Sequence, residues 1–402
     1  MNSRLKYSVV LSSTFLAVLL LIGSVMGKSA PTEGPSGVYK HLGVYSEVLS
    51  RIKSEYVEEP DMKNVTLGAM NGLLEAIDPF ASYLNAEQYR EYLKNYDSFR
   101  GDLGLVLAKK FGYIAVVGSV PGSPAAKAGL TTGDMIESIK GVATRDMPLA
   151  YANLLLRGAP GSSVELTVLR RRPDPQKMTL TRVVIDSPAV ETRVIENNIG
   201  YIRPETLSTG KLKEIAADIK ALEAKGARQM ILDLRNCSVG DPEDGVELAN
   251  LFLDKGLITY VQGQKFPRED HNAKAGEAIW KGPLVVLTNR ATATAAEVAA
   301  AALGGNKRAE VIGERTYGDA SIRRPVTLDD GSAVILSVAK FYAPDGKSIQ
   351  DNGVMPSTVV QELDTQPDVD DSGETPAPAA QENKPAEDVI LKKALEVLGK
   401  KA

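Results

Sequence analysis

A run of small residues between two apolar segments is the part of this chain best suited to chemistry. It lies within Leu287 to Arg323, where a β-like run from Pro283 to Thr288 precedes an alanine-rich helix predicted from about Thr294 to Leu303. Many hydrolases place a nucleophile on such a strand-to-helix turn, because the helix N-terminus and free backbone N–H groups stabilise an oxyanion. From composition alone, the pattern favours a helix of small residues packed closely against a sheet.

The residue order in this stretch resembles the carboxyl-terminal processing peptidases, the tail-specific proteases with a Ser-Lys dyad. That family shows a segment like Asn-Glu-Gly-Ser-Ala-Ser-Ala-Ser-Glu-Ile, followed by Gly-Glu-x-Thr-Phe-Gly-Lys-Gly. This chain has Asn-Arg-Ala-Thr-Ala-Thr-Ala-Ala-Glu-Val at 289–298 and Gly-Glu-Arg-Thr-Tyr-Gly-Asp-Ala at 313–320, in the same register. The resemblance implies that the nucleophilic serine corresponds to Thr294, the lysine base to Asp319, and a glutamine assisting the lysine to Arg323.

Both dyad positions are therefore substituted. A lysine base must be buried and neutral. Asp319 is instead expected to have a pKa of about 4 and to be a weak base at neutral pH. Thr294 keeps a hydroxyl, but its methyl group restricts χ1, and its internal position excludes the mechanism of N-terminal threonine nucleophiles. Asp319 and Arg323 are expected to form an ion pair instead. His41 and His271 lie outside these motifs, so a Ser-His-Asp arrangement has no support.

A second segment corresponds to the oxyanion-hole loop of the family. The strand predicted at 229–235 resembles the family's Leu-Ile-Leu-Asp-Leu-Arg, which there precedes Asn-Asn-Pro-Gly-Gly; here Asn-Cys-Ser-Val-Gly stands at 236–240. Gly240 is retained as the oxyanion-hole position. Val239 replaces the other glycine, and a β-branched residue resists a positive φ. Cys237 has no base placed for it, and we expect it to be a small packing residue.

Residues 99–187 resemble a PDZ domain. Ser-Pro-Ala-Ala-Lys-Ala-Gly-Leu at 123–130 and Gly-Asp-Met-Ile at 133–136 match the Pro-Ala-x-x-Ala-Gly-Leu and Gly-Asp-x-Ile run of bacterial PDZ domains. The resemblance implies that a peptide C-terminus binds as an added strand, with its carboxylate held by backbone N–H groups. The residues expected to make this contact are Leu103, Gly104 and Leu105. A groove filled by the chain's own residues is the alternative.

The N-terminal residues 1–27 have the pattern of a targeting segment. Arg4 and Lys6 precede an apolar run from about Val9 to Met26, which has the marginal length for a transmembrane helix. Basic residues before the run favour export of the rest of the chain. Because no Ala-x-Ala site is obvious near Gly27, we expect an uncleaved anchor. This places the protein on the periplasmic or extracytoplasmic side of the bacterial cytoplasmic membrane, with a cleaved signal peptide as the alternative.

Strand and helix patterns alternate from Glu191 onward, as in an α/β core. With the resemblance, this predicts an α/β multidomain protein: a crotonase/ClpP-like peptidase core, an inserted PDZ domain and an N-terminal helical cap region. The predicted segments are a signal anchor at 1–27, a linker at 28–37, a helical region at 38–98, the PDZ domain at 99–187, the peptidase-like core at 188–362, a disordered acidic linker at 363–386 and a C-terminal helix at 387–402.

The composition bears on which partners and cofactors the chain can bind. A net charge of −4 with 24% charged residues gives no indication of nucleic-acid binding. The single cysteine excludes an internal disulfide and a multi-cysteine metal site. We expect no cofactor or metal, because the acidic residues lack ligand spacing and the histidines are isolated.

Loss of both dyad residues in a retained scaffold favours a proteolytically inactive family member. It would bind peptide C-termini as a scaffold, an adaptor or a regulator. It would form either a homo-oligomer or a mixed oligomer with an active relative. One alternative is an active endopeptidase that uses Thr294 as nucleophile. Another is a structural envelope protein with a blocked PDZ groove.

Overall fold

The structure is a computed structural model that describes residues 35–95, 100–110, 112–145, 147–170, 174–208, 210–361 and 388–400. The chain divides into two units, Met1–Leu67 and Gly68–Ala402. The anchor predicted at 1–27 and the acidic linker predicted at 363–386 lie outside the described residues. Among the helices that are described, none is both long enough and apolar enough to cross a membrane.

The described part of the first unit is mostly helical. It holds α1 (Pro35–Glu55), which begins inside the predicted linker, and the start of α2 (Met62–Glu75). Val44 and Val48 on α1 are exposed.

The second unit continues from α2 into the domain that resembles a PDZ domain. Its elements up to the end of this domain are β1 (Ser82–Leu84), α3 (Ala86–Asn95), β2 (Gly101–Asp102), β3 (Leu105–Lys110), β4 (Tyr113–Ser119), α4 (Pro124–Lys127), β5 (Met135–Ile139), β6 (Val142–Ala143), α5 (Leu149–Leu156), β7 (Ser163–Leu169), β8 (Gln176–Thr181) and β9 (Val183–Val184).

The sheet of this domain leaves one strand edge beside a helix. The strand order is β3-β4-β5-β7-β8, with β6 paired to β5, while β2 pairs separately with β9. Strand β3 is therefore terminal in its sheet, and α5 packs near it. This is the arrangement in which a peptide can add as a further strand.

The rest of the unit alternates strands and helices. Its elements are β10 (Glu191–Ile195), β11 (Ile199–Arg203), α6 (Lys211–Ala224), β12 (Gln229–Asp233), α7 (Pro242–Asn250), β13 (Leu257–Gln262), β14 (Glu269–Asn272), β15 (Leu284–Thr288), α8 (Ala295–Gly305), β16 (Glu310–Gly313), β17 (Ser321–Thr327), β18 (Ala333–Tyr342), β19 (Thr358–Val359) and α9 (Val389–Gly399). The α/β multidomain class predicted from the sequence is confirmed.

The main sheet of this core has the order β10-β11-β12-β15-β16-β19, parallel except for β10. Side chains alternate between its faces, as the period of a strand requires. On β12, Met230 and Leu232 join the cluster formed with α6, α7 and α8, whereas Ile231 joins the cluster formed with α9. Helices thus bury both faces.

A second sheet consists of β1, β13, β14, β17 and β18. Strand β18 is its centre: it pairs with β17 on one edge and with β1 and β13 on the other. Because β17 follows the loop that contains Asp319, this sheet anchors one side of the predicted site.

The helix predicted at 294–303 is observed as α8, and it is buried over Ala295 to Leu303. Its alanines allow close packing. Helix α7 approaches α8 closely at Gly245, where an added Cβ would lie 2.1 Å from the carbonyl oxygen of Ala295.

We expect Gly245→Ala to lower the free energy of unfolding by about 2 kcal/mol, because the added methyl group overpacks the α7–α8 contact. Urea denaturation measures this. Gly72→Ala is the matched control: Gly72 is also helical but has no neighbour within 4 Å of an added Cβ, so alanine should be neutral or stabilise by up to about 1 kcal/mol. Equal effects of the two substitutions would contradict the packing explanation.

Candidate active site

Thr294 stands at the junction of the turn and α8, in a strained backbone conformation. Its φ is +54° and its ψ is −119°, a combination that costs a β-branched residue on the order of 1–3 kcal/mol. Its Oγ1 is buried and has no hydrogen-bond partner among the described residues. The turn therefore presents a hydroxyl that nothing in the described chain activates.

The loop Asn236–Gly240 lies beside this turn. Its positive φ values fall on Asn236 (+61°) and Gly240 (+144°). Val239 therefore does not need the positive φ that a β-branched residue resists, contrary to the concern raised by the sequence. A Cβ on Gly240 would lie 3.0 Å from Cβ of Ala295 and 3.0 Å from Cβ of Leu207. Gly240 is thus required by space as well as by φ.

Two backbone amides are available at this point. Within the described chain, neither the amide of Gly240 nor that of Ala295 donates a hydrogen bond. Ala295 is the first residue of α8, where N–H groups have no intrahelical acceptor. Such amides can hold a carbonyl oxygen or a carboxylate.

Glu297 connects the turn to the loop that carries Asp319. Its carboxylate is fully buried and accepts hydrogen bonds from the amides of Thr294 (3.2 Å), Gly318 (2.7 Å) and Asp319 (2.8 Å), and from the hydroxyl of Thr316. Burial raises the pKa of Glu297 to about 7, although these hydrogen bonds oppose the shift. One carboxylate therefore sets the relative position of Thr294 and Asp319, the two residues that the sequence predicts at the dyad positions.

Asp319 and Arg323 form the ion pair expected from the sequence. Their side chains are 12% and 30% exposed. Burial raises the pKa of Asp319 while Arg323 opposes the shift, which corrects the expectation of an ordinary carboxylate. The pairing engages Oδ1 of Asp319, and no hydrogen bond joins Asp319 to the Thr294 hydroxyl.

Two aromatic residues, Phe80 and Tyr317, pack beside Arg323. The guanidinium carbon of Arg323 lies 4.1 Å from the centre of the Phe80 ring. The Phe80 and Tyr317 rings meet edge to face at 6.2 Å. The amide of Tyr317 in turn donates to the carbonyl of Thr292. The cation–π contact further stabilises the charged guanidinium.

The three residues predicted to hold a peptide carboxylate form a separate site in the other domain. Leu103 is buried and Gly104 has a φ of +76°. The amide of Gly104 donates to Oδ1 of Asp102 at 2.8 Å, so a side chain of the loop already uses one of the expected donors. Leu105 begins β3, at the open edge of the sheet.

The two domains touch next to the Asn236–Gly240 loop. A Cβ added to Gly118 on β4 would lie 3.0 Å from Oγ of Ser238. The PDZ-like sheet is therefore in contact with the loop that carries Gly240.

Sequence reasoning missed Glu297, Phe80 and Tyr317. An acidic residue three positions into an otherwise apolar helix was an available signal for Glu297, because such residues reach back to the helix start. Nothing local marks Phe80. Cys237 is fully buried, and burial raises the pKa of its thiol to about 12, which supports its expected packing role. No cluster of three or more metal-ligating residues occurs in the described ranges.

Comparison with known families matches the two parts of this architecture. A family model described as "Peptidase family S41" matches residues 198–360, and a model described as "PDZ domain" matches residues 116–170. The second match confirms the PDZ prediction.

Relatives extend the match over most of the chain. A "Carboxy-terminal-processing protease" of Bartonella bacilliformis is 32% identical over 359 residues, covering 87% of this chain and 81% of that protein. "Carboxy-terminal processing protease CtpA" of Bacillus subtilis is 32% identical over 359 residues, covering 88% and 76%. The solved "photosystem II D1 C-terminal processing protease" is 26% identical with a TM-score of 0.64, covering 79% and 92%. This chain belongs to the carboxyl-terminal processing serine peptidase family, with a PDZ domain.

The raised pKa of Glu297 predicts a pH-dependent stability. Between its ordinary value of 4.5 and about 7, the unfolded chain binds fewer protons at this group than the folded chain, so stability falls as pH rises. We expect the free energy of unfolding of the wild type, relative to Glu297→Gln, to fall by about 2 kcal/mol from pH 5 to pH 8. Urea denaturation at both pH values measures it; parallel pH dependences would show that Glu297 does not titrate there.

Proposed function

We propose that this chain is a proteolytically inactive member of its family that binds peptide C-termini and acts as a scaffold, an adaptor or a regulator of an active relative. Homo-oligomers or mixed oligomers with that relative would be its working form. We also propose that it is exported and anchored by residues 1–27 on the extracytoplasmic side of the bacterial cytoplasmic membrane, because a basic start and a long apolar run occur there.

The observation that carries the proposal is the state of the two dyad positions. The Thr294 hydroxyl has no acceptor in the described chain, while Asp319 is committed to Arg323. General-base catalysis needs an acceptor within hydrogen-bond reach of the nucleophile. A carboxylate paired with a guanidinium is also a weaker proton acceptor than a neutral lysine.

Two structural features, an open strand edge and a pair of backbone amides, support peptide binding. The PDZ domain keeps an open β3 edge beside α5, and the core keeps two amides, those of Gly240 and Ala295, that donate to no acceptor in the described chain. Both features suit an extended peptide with a terminal carboxylate.

One observation favours the active alternative, an endopeptidase that uses Thr294. The residue holds a strained backbone conformation next to those two amides, and such strain clusters at functional sites. The base that would serve it is not evident in the described chain, so we rank this second.

Another observation favours a blocked groove. Phe80 is 5% exposed and belongs to the buried cluster that includes Leu107 of β3 and Leu149 of α5. Ser82, two residues on, accepts a hydrogen bond from the amide of Ala150 on α5. The chain's own segment thus lies along the helix that would flank a bound peptide.

We expect the wild-type protein to leave casein and C-terminally tagged peptides intact, like Thr294→Ala. The restoring variant Thr294→Ser/Asp319→Lys/Arg323→Gln should cleave them at least about tenfold above that background. Arg323 must change as well, since its guanidinium would otherwise face the new lysine in a site with little solvent.

The double variant that retains Arg323 is the matched control, and it should be less active than the triple variant. Cleavage by the wild type that Thr294→Ala abolishes would disprove the proposed inactivity. An inert triple variant would show that the dyad substitutions are not the cause of inactivity.

For the PDZ groove, we expect fluorescent peptides with a free C-terminus to bind at least about tenfold more tightly than their C-terminal amides, because the loop recognises a carboxylate. Fluorescence anisotropy measures this. Binding that appears only after Phe80→Ala would identify a blocked groove. Leu84→Ala is the control, since Leu84 is also buried but belongs to a different cluster.

A further inference from the structure

Arg235 links the end of β12 to the C-terminal helix α9. Its guanidinium donates to both oxygens of Asp233, at 2.6–3.1 Å, and to both oxygens of Asp388, at 2.8 Å each. The Arg235 side chain is 9% exposed and that of Asp388 is 39% exposed. Asp388 comes from a segment 153 residues away in the sequence, so this contact reports on docking of the chain's end.

The charges at this point suit a permanent ion pair. Burial works against the charged guanidinium, yet the two carboxylates raise the pKa of Arg235 above its ordinary value. Partial burial works to raise the pKa of Asp388, but hydrogen bonds from Arg235 and from the Leu391 amide hold it below its ordinary value. Both groups are therefore charged at neutral pH.

Helix α9 is docked by more than this pair. Its Ile390, Ala394 and Leu398 are fully buried against the main sheet. Asp388 is also its N-cap, accepting from the amide of Leu391 at 2.9 Å, and the side chain of Gln229 donates to the carbonyl of Leu398. Asp388 thus serves the helix and the ion pair at once.

The residue after Arg235 begins the Asn236–Gly240 loop. Asn236 has a φ of +61° and exchanges two 3.0 Å hydrogen bonds with Asn289. The carbonyl of Cys237 accepts from the amide of Ala293 at 3.0 Å. The path from α9 to the turn at Thr294 is therefore continuous: Asp388, Arg235, the loop, and the turn.

We propose that Arg235 and Asp388 are positioning residues, through which docking of the C-terminal helix holds the Asn236–Gly240 loop in the conformation that flanks Thr294. The inference draws on the proposed function only in taking Gly240 as part of a binding cleft. Without the Asp388 carboxylate, Arg235 loses the two hydrogen bonds that tie it to α9, and its neighbour Asn236 opens more often.

Cys237 is a built-in reporter of the loop. It is the only cysteine of the chain and it is fully buried, so a maleimide reacts only when the loop opens. The experiment measures the maleimide labelling rate of the full-length native protein, as wild type and as three variants. Asp388→Ser keeps an N-cap side chain but removes the carboxylate, Asp388→Glu keeps a carboxylate, and Lys393→Gln removes an exposed ion pair on the same helix.

We expect Asp388→Ser to label about ten times faster than the wild type or more, while Asp388→Glu and Lys393→Gln stay close to it. The excess rate should depend weakly on urea, because a local opening exposes little surface. An unchanged rate in Asp388→Ser would overturn the proposal. So would an excess that rises steeply with urea, in proportion to global unfolding. The readout needs neither peptide binding nor cleavage, so it stands or falls independently of the proposed function.

Discussion

The buried carboxylate of Glu297 is the constraint on which the candidate site depends. It receives hydrogen bonds from the start of α8 and from the loop that leads to β17. A buried carboxylate is tolerated only when donors surround it, so the loop and the helix are held in one arrangement. Thr294 and Asp319 take their positions from this arrangement, whatever their own chemistry.

The charges of Asp319 and Arg323 compensate each other. In the family motif that this sequence resembles, a lysine and a glutamine stand at these two positions, whereas this chain has an anion beside a cation. A lone aspartate at Asp319 would be buried and uncompensated, which is costly. Arg323 pairs with it and stacks on Phe80, and Nε of Arg323 is buried without a hydrogen-bond partner among the described residues.

Close packing of small residues allows this site to sit inside the core. The alanines of α8 and the missing side chain at Gly245 let α7 approach the helix start, and Gly240 lets its loop approach Ala295. Helices cover both faces of the main sheet, with α9 on the face opposite α8. The pair of Arg235 and Asp388 joins α9 to the end of β12, directly before the Asn236–Gly240 loop.

The sequence by itself determined the α/β class, the presence of a PDZ domain and the position of α8, which follow from strand alternation, small-residue turns and motif spacing. Its resemblance to the family also aligned Thr294 and Asp319 with the dyad and Arg323 with the assisting glutamine. Only the tertiary structure decided that Glu297 joins the two loops, that Phe80 covers Arg323, and that Asp388 holds Arg235. It also decided the raised pKa of Asp319. The reason is physical: burial, pKa and ion pairing depend on which distant segments meet, and no local pattern carries that information.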